Sequence, residues 1–223
     1  MRLLLVEDDR LMAQMTSALL AKKNFKVTLA HSKDDAIDIL RNYQFDAVVL
    51  DLRLKNECGL DVLSEARAMR VTCPFVVLSG DLDTDRKVAA LHAGADDYVT
   101  KPFKVEELAA RILGIIRRAN GHISTCLEHG PLKLNLEAKT AELAGKPLTL
   151  TRKEYQVLEA LMLRAGRILS KDMILSLIYG GIDEPNTKII DVFICKLRKK
   201  LSDALNGFTP IQTIYGVGYS FRA

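Results

Sequence analysis

At 223 residues the chain is long enough for two ordinary domains, and its 48% hydrophobic and 27% charged residues exclude a disordered or fibrous protein. The net charge of +4 is unevenly spread: residues 1–123 carry 18 basic and 18 acidic side chains, residues 124–223 carry 14 and 10. The basic excess of the second part suits an anionic partner, or simply a solvated basic face, and charge alone does not separate the two.

In chain order, Leu3–Val6 is an apolar run too short for a signal-peptide core, and no later stretch approaches a membrane span, so no membrane role and a cytoplasmic location are expected. The run reads as a strand, and Lys26–Ala30, Asp46–Leu50, Phe75–Leu78 and Asp97–Thr100 read likewise. Three of these are unbroken apolar runs, as expected of strands buried on both faces. Helical patterns lie between them at about 9–22, 33–42, 59–69, 84–93 and 104–118, with Ser32 and Thr84 as N-caps and Gly94 at a helix C-cap. Five β-α units predict a doubly wound parallel sheet of order 2-1-3-4-5, over residues 1–118, whose working edge is the carboxyl ends of its strands.

A linker is expected at 119–125, and beyond it the pattern changes. Brief alternating strands fill 127–150, helices follow at about 151–165, 170–179 and 186–205, and two short strands around Gly216-Val217-Gly218 close the chain. That order predicts an α+β winged-helix domain over 126–223. Cys58, Cys73, Cys126 and Cys195 show no C-x-x-C spacing and read as reduced residues.

The chemistry gathers at strand ends: Glu7 and Asp8 after the first, Asp51 after the third, Ser79 after the fourth and Lys101 after the fifth. A parallel sheet brings these to one edge. Three carboxylates there repel unless a hard cation joins them, and oxygen-only ligands suit Mg²⁺. Lys101 offers a fixed positive charge to a phosphoryl group, Ser79 a hydrogen bond, and Asp51 is the natural nucleophile. In the second part, Ile190, Phe193, Ile194, Leu197 and Leu201 form one apolar stripe of a helix, whose other face presents Lys188, Val192, Cys195, Lys196 and Lys199 with Arg198 and Lys200 on its flanks. Such a helix suits the major groove, its lysines meeting phosphates and base acceptors and Val192 a thymine methyl.

Leu5-Val6-Glu7-Asp8-Asp9, Val49-Leu50-Asp51-Leu52, Leu78-Ser79-Gly80 and Gly94-Ala95-Asp96-Asp97-Tyr98-Val99-Thr100-Lys101-Pro102-Phe103 resemble the receiver domain of the OmpR/PhoB response regulators. Leu150-Thr151-Arg152-Lys153-Glu154-Tyr155, Asp191–Lys199 and the closing segment Ile211–Phe221 resemble the winged helix of the same family. The resemblance implies phosphorylation of Asp51 by a sensor histidine kinase or phosphotransfer protein, with small acyl phosphates able to substitute. It implies Mg²⁺ held by Asp8 and Asp51, by Glu7 through water and by the Arg53 carbonyl. Asp9, one position past the metal pair, is expected to face the first helix turn. Lys101 would contact the phosphoryl group, with Ser79 and Tyr98 as a switch pair.

The resemblance further implies a homodimer across the face of the fourth helix, fifth strand and fifth helix, through Lys87–Glu107 and Asp97–Arg111 pairs; His92 and Leu113 stand where a third pair is expected. Double-stranded DNA would be read by Thr187, Lys188, Val192, Lys196, Arg198 and Lys199 and by a wing carrying Tyr215 where the family usually has arginine, and RNA polymerase stands as a further candidate partner. Residues 179–201 are also similar to the recognition segment of alphaproteobacterial cell-cycle regulators, which implies paired TTAA half-sites. Three other readings are weighed. An aspartyl phosphohydrolase needs a second acid where the chain has Arg53, which leaves at most slow self-dephosphorylation. His122, Cys126 and His129 form a loose cluster without a fourth zinc ligand. A regulator that binds DNA without phosphorylation leaves the acidic pocket unexplained.

Overall fold

The computed structural model describes residues 1–55, 57–80, 84–179, 185–202 and 209–222. The chain divides into two compact units, Met1–Ala119 and Asn120–Ala223. Residues 120–125 of the expected linker fall with the second unit, where the His122 ring lies 3.0 Å from the Leu163 carbonyl oxygen.

In unit 1 the chain forms β1 (Arg2–Val6), α1 (Arg10–Lys22), β2 (Lys26–Ala30), α2 (Lys33–Asn42) and β3 (Ala47–Asp51). A two-stranded antiparallel ribbon of β4 (Arg53–Leu54) and β5 (Glu57–Cys58) comes next, then α3 (Gly59–Ala68), β6 (Phe75–Ser79), α4 (Thr84–His92), β7 (Asp97–Thr100) and α5 (Val105–Ala119). The main sheet is parallel, of order β2-β1-β3-β6-β7, the doubly wound order expected. β1, β3 and β6 are buried along their whole length, because helices cover both faces and each residue of an apolar run finds a core. The helix stripe Leu108, Ala109, Ile112, Ile115 and Ile116 supplies α5's share of that core.

The sheet ladder reaches one residue further than the apolar pattern predicts in two strands. Asp51 ends β3 and Ser79 ends β6, while Asp46 precedes β3 and its carboxylate accepts from the Arg2 backbone N–H at 2.7 Å. The β4–β5 ribbon was not predicted, since four residues carry no readable alternation. Ser32 caps α2, accepting from the Asp35 N–H, and Gly94 has φ +101 just past α4. The Thr84 cap lies outside the described side chains.

Unit 2 opens with a four-stranded antiparallel sheet of β8 (Cys126–His129), β9 (Leu132–Asn135), β10 (Thr140–Leu143) and β11 (Lys146–Pro147). Then follow α6 (Arg152–Leu163), β12 (Ile168–Ser170), α7 (Lys171–Tyr179), α8 (Lys188–Ser202), β13 (Ile211–Ile214) and β14 (Gly218–Phe221), with β12, β14 and β13 forming a second sheet. The short β12 was expected as loop and helix start; it is held by antiparallel pairing with β14. The expected apolar stripe of α8 is buried at Ile190, Ile194, Leu197 and Leu201, although Phe193 is only half-buried. Residues 203–205 of the predicted helix lie outside the described residues.

α6 starts with a capping box: Thr151 Oγ1 accepts from the Glu154 N–H, and Glu154 accepts from the Thr151 N–H at 2.8 Å. Lys200, expected on the outer flank of α8, instead donates to the buried Glu154 carboxylate at 2.7 Å and to the Thr149 carbonyl at 2.9 Å. Burial pushes the Glu154 carboxyl up, but Lys200 and the Thr151 N–H outweigh it and hold it below its ordinary 4.5. A carboxyl depressed in the folded state contributes stability that is complete above its unfolded pKa and is lost as pH falls through the folded value. Lys200→Ala is therefore expected to destabilise unit 2 by about 2 kcal/mol at neutral pH, as loss of a hydrogen bond to a buried charge does. Glu154→Gln should flatten the loss of stability below pH 4.5. Urea unfolding at pH 3 to 7 checks both, and an unchanged acid limb in Glu154→Gln would contradict this account.

Candidate functional site

Strand geometry brings the acidic residues together. One carboxylate oxygen from each of Glu7, Asp8 and Asp51 lies within 4.8 Å of the others. Glu7 and Asp51 are each 5% exposed, so two of the three charges sit largely out of water. Lys101, just past the end of β7, places its Nζ 2.6 Å from Asp51 Oδ2 and 2.8 Å from Glu7 Oε2. Its backbone N–H donates to the Ser79 carbonyl at 2.7 Å, which ties the lysine to the neighbouring strand end. Asp51 Oδ1 accepts from the Arg53 N–H at 3.0 Å.

The electrostatics are those of crowded carboxylates around one cation. Burial is the main influence raising the Glu7 carboxyl above its ordinary value, and the like charge of Asp51 adds to it against the pull of Lys101. Burial works against the Lys101 ammonium, but its bonds to Asp51 and Glu7 carry it above the ordinary lysine value. The donor set is all oxygen and still carries a surplus of negative charge beside a single lysine, which fits a hard divalent cation.

Asp9 stands apart from the cluster. Its Oδ1 accepts from the N–H groups of Leu11 and Met12, so it is the N-cap of α1, facing the first helix turn as expected. Ser79, 1% exposed, lies at the sheet edge opposite Thr100, and Tyr98 is packed inward at 6% exposure with the Lys87 Nζ 5.8 Å from its ring centre.

One residue of this site was missed in the sequence. At Gly59, the first residue of α3, an added Cβ would lie 2.3 Å from the Asp51 carbonyl oxygen and 2.9 Å from the Leu52 Cα. The Gly59 N–H donates to the Leu52 carbonyl at 3.0 Å. The chain from Asp51 through the β4–β5 ribbon thus folds back onto its own start, and only a residue without a side chain fits there. A lone glycine at a predicted helix start gives no sign of that.

On the α4–β7–α5 elements, Arg111 pairs within the chain with Asp97 Oδ2 at 3.3 Å and Glu107 Oε1 at 3.0 Å. Glu107, expected to meet Lys87 of a second copy, is here held by Arg111. Val88 and Leu91 of α4 are each 44% exposed.

In unit 2, Lys188, Val192, Cys195, Lys196 and Lys199 form one exposed face of α8. Thr187 is half-buried just before the helix, and Asn186 Oδ1 accepts from the Lys188 N–H at 3.0 Å. Tyr215 is 91% exposed at the tip between β13 and β14, where Gly216 has φ +74. Arg198 departs from expectation: its guanidinium is turned to the hairpin, donating from Nη2 to the Ile211 carbonyl at 2.9 Å and to Thr213 Oγ1 at 2.7 Å. Residues 180–184 of the segment likened to the cell-cycle regulators lie outside the described residues. His122 and His129 have ring centres 6.3 Å apart, and they do not join Cys126 in a metal-ligating group among the described residues.

Residues 3–113 match the response regulator receiver domain family, and residues 145–221 match the family of transcriptional regulatory proteins, C terminal. The chain is 45% identical over 222 residues to the cell cycle transcriptional regulator CtrA of Caulobacter vibrioides, covering 100% of this chain and 96% of that one. It is 46% identical over 222 residues to the cell cycle response regulator CtrA of Brucella abortus, with the same coverage. Among solved structures, a two-component response regulator from Clostridium difficile superposes with a TM-score of 0.51 at 28% identity, over 53% of this chain and 98% of that one.

Proposed function

The chain belongs to the OmpR/PhoB-type response regulators that join a receiver domain to a C-terminal DNA-binding domain, among them the CtrA cell-cycle regulators, and on that premise we propose that phosphorylation of Asp51 switches its hold on DNA. It is a transcription factor of a two-component system; the proposal concerns how its residues do that work. The observation that carries it is the Asp51 carboxylate, buried, flanked by Glu7 and Asp8, with Lys101 at 2.6 Å.

Asp51 attacks the phosphorus of a phosphohistidine on a kinase or phosphotransfer protein. The bond from phosphorus to the imidazole nitrogen breaks, its electron pair stays on that nitrogen, and the nitrogen takes a proton. Glu7, Asp8, Asp51 and the Arg53 carbonyl would hold Mg²⁺, which supplies charge neutralisation for the incoming phosphoryl oxygens. Lys101 leaves its carboxylate partners to contact the phosphoryl group, and the Ser79 hydroxyl donates to it, with Tyr98 following inward. With Arg53 where a hydrolase needs an acid, Asp51 acts as a switch input, and loss of the phosphoryl group is at most slow self-dephosphorylation.

The donor protein docks on α1, which starts beside the site at its Asp9 cap and exposes Leu11 (66%), Met12 (40%), Met15 (54%) and Leu19 (40%). Spacings of four keep Leu11, Met15 and Leu19 on one stripe, the form that receives a partner helix. The phosphorylated receiver pairs with a second copy through Lys87, Asp97, Glu107 and Arg111. The paired winged helices then bind TTAA-type half-sites through Thr187, Lys188, Val192, Lys196, Lys199 and Tyr215. Among the described residues no helix is long and apolar enough to cross a membrane, which fits a cytoplasmic regulator, and RNA polymerase is a further candidate partner.

DNA footprinting of the wild type and Asp51→Ala, each with and without an acyl phosphate donor, tests the switch. The donor is expected to raise wild-type occupancy on the order of tenfold, the size of an ordinary coupling between sites, and to leave Asp51→Ala unchanged. Equal occupancy in all four samples would sink the reading.

A further inference from the structure

Two charged side chains of α8 face the closing hairpin rather than the exposed lysine face. Asp191 Oδ1 accepts from the Tyr219 hydroxyl at 2.6 Å, and its Oδ2 accepts from Lys171 Nζ at 2.8 Å. Arg198, two helical turns further along the same side, donates to the Ile211 carbonyl and Thr213 Oγ1, with its guanidinium carbon 5.7 Å from the Tyr219 ring centre. Thr213 and Tyr219 are direct partners across the β13–β14 pair. The helix therefore grips both strands of the hairpin at one level.

That level lies just below the tip. From Thr213 the chain runs through Ile214 to the exposed Tyr215, and the turn is closed by the Val217 N–H bonding to the Ile214 carbonyl at 3.0 Å. On the far side, a Cβ on Gly218, which pairs with Ile214 next to the turn, would lie 2.0 Å from the Leu169 carbonyl oxygen, so the tip end of the hairpin sits hard against β12. The hairpin cannot roll about its long axis without breaking the bonds to α8 or colliding with β12. The apolar core of the unit lies elsewhere, under Ile190, Ile194, Leu197 and Phe221, whereas the Asp191 side chain is 41% exposed at the rim.

We propose that Asp191 and Arg198 are positioning residues that, through Tyr219 and Thr213, set the angle of the wing against α8, so that Tyr215 and the Val192–Lys196–Lys199 face meet one duplex together. Arg198 then acts on DNA through the wing and not by neutralising a phosphate. The inference rests on the reading that α8 and the wing contact DNA.

The experiment measures DNA affinity of the full chain across a salt series for the wild type, Tyr219→Phe, Tyr215→Ala, the double variant, Arg198→Gln and Lys196→Ala. A lost phosphate contact lowers the slope of log affinity against log salt by about one, whereas a misplaced wing leaves that slope in place. Tyr219→Phe and Arg198→Gln are expected to weaken binding about fivefold or more with the wild-type slope. The double variant should bind no more weakly than Tyr215→Ala alone, because the network acts through Tyr215. Asp191→Asn keeps the acceptor for the Tyr219 hydroxyl and should bind close to wild type, whereas Asp191→Ala should reproduce the Tyr219→Phe loss. Additive losses in the double variant, or a slope lowered by about one in Arg198→Gln, would overturn the positioning role. Lys196→Ala should lower both affinity and slope; unchanged binding there would remove the DNA-face reading itself, and the inference with it.

Discussion

Asp51→Asn is expected to abolish uptake of a phosphoryl group from an acyl phosphate or from a phosphorylated histidine donor. The amide keeps the shape of the carboxylate and can still accept from the Arg53 N–H, which holds Asp51 Oδ1 at 3.0 Å, but it offers no anionic oxygen to attack phosphorus. A fall on the order of 10³-fold or more is expected, the range that removal of a nucleophile produces. Intact-mass measurement of the phosphoprotein checks it, and undiminished labelling of Asp51→Asn would move the phosphoacceptor elsewhere. The same variant removes one of three carboxylates clustered within 4.8 Å, so it also bears on the metal. Mg²⁺ should raise the thermal midpoint of the wild type, since a ligand at a hundred times its Kd stabilises by about 2.7 kcal/mol, and should do so far less in Asp51→Asn and Asp8→Asn. A midpoint equally raised in all three proteins would place the metal away from these carboxylates.

Gly59→Ala is expected to be among the most damaging single-methyl substitutions in unit 1. The new Cβ would stand 2.3 Å from the Asp51 carbonyl oxygen, and the obstacle is backbone, which cannot swing aside as a side-chain end can. Overpacking of this kind costs about 3 kcal/mol, which for a unit of this size lowers the melting temperature by roughly 10 °C. The function should suffer beyond stability, because the clash falls on Asp51, the residue proposed to take the phosphoryl group. Displacement of Asp51 by a fraction of an ångström changes its distance to Lys101, now 2.6 Å, and misplacements of about 1 Å cost on the order of 10²-fold in rate. Phosphoryl uptake measured well below the melting temperature separates the two effects. Wild-type uptake together with a wild-type melting temperature would show that the ribbon after Asp51 yields easily, contrary to the geometry.

Much of this was readable in the chain because it depends on local pattern. Unbroken apolar runs marked β1, β3 and β6, and the acidic and basic residues stood next to those runs, so a parallel sheet alone was enough to gather Glu7, Asp8, Asp51 and Lys101. Helix starts were readable where caps are made by near neighbours, as at Ser32, and Asp9 was rightly placed at the first turn of α1. The closing hairpin and the exposed lysines of α8 were also visible from spacing.

The long-range polar contacts were not. Arg198 and Lys200 look alike in sequence, two basic residues on the flanks of a basic helix. One holds the hairpin at Thr213, the other a buried carboxylate on α6, and neither partner lies within ten residues. Gly59 and Gly218 are likewise silent, because what excludes a side chain there is backbone brought in by a fold-back or by another strand. The residues by themselves thus determined the two-part architecture and the acidic pocket, since periodicity and strand-end placement are properties of neighbours in the chain. Only the tertiary structure decided which charges are spent inside the molecule and which stay exposed, because a charge's partner is chosen by distance in space.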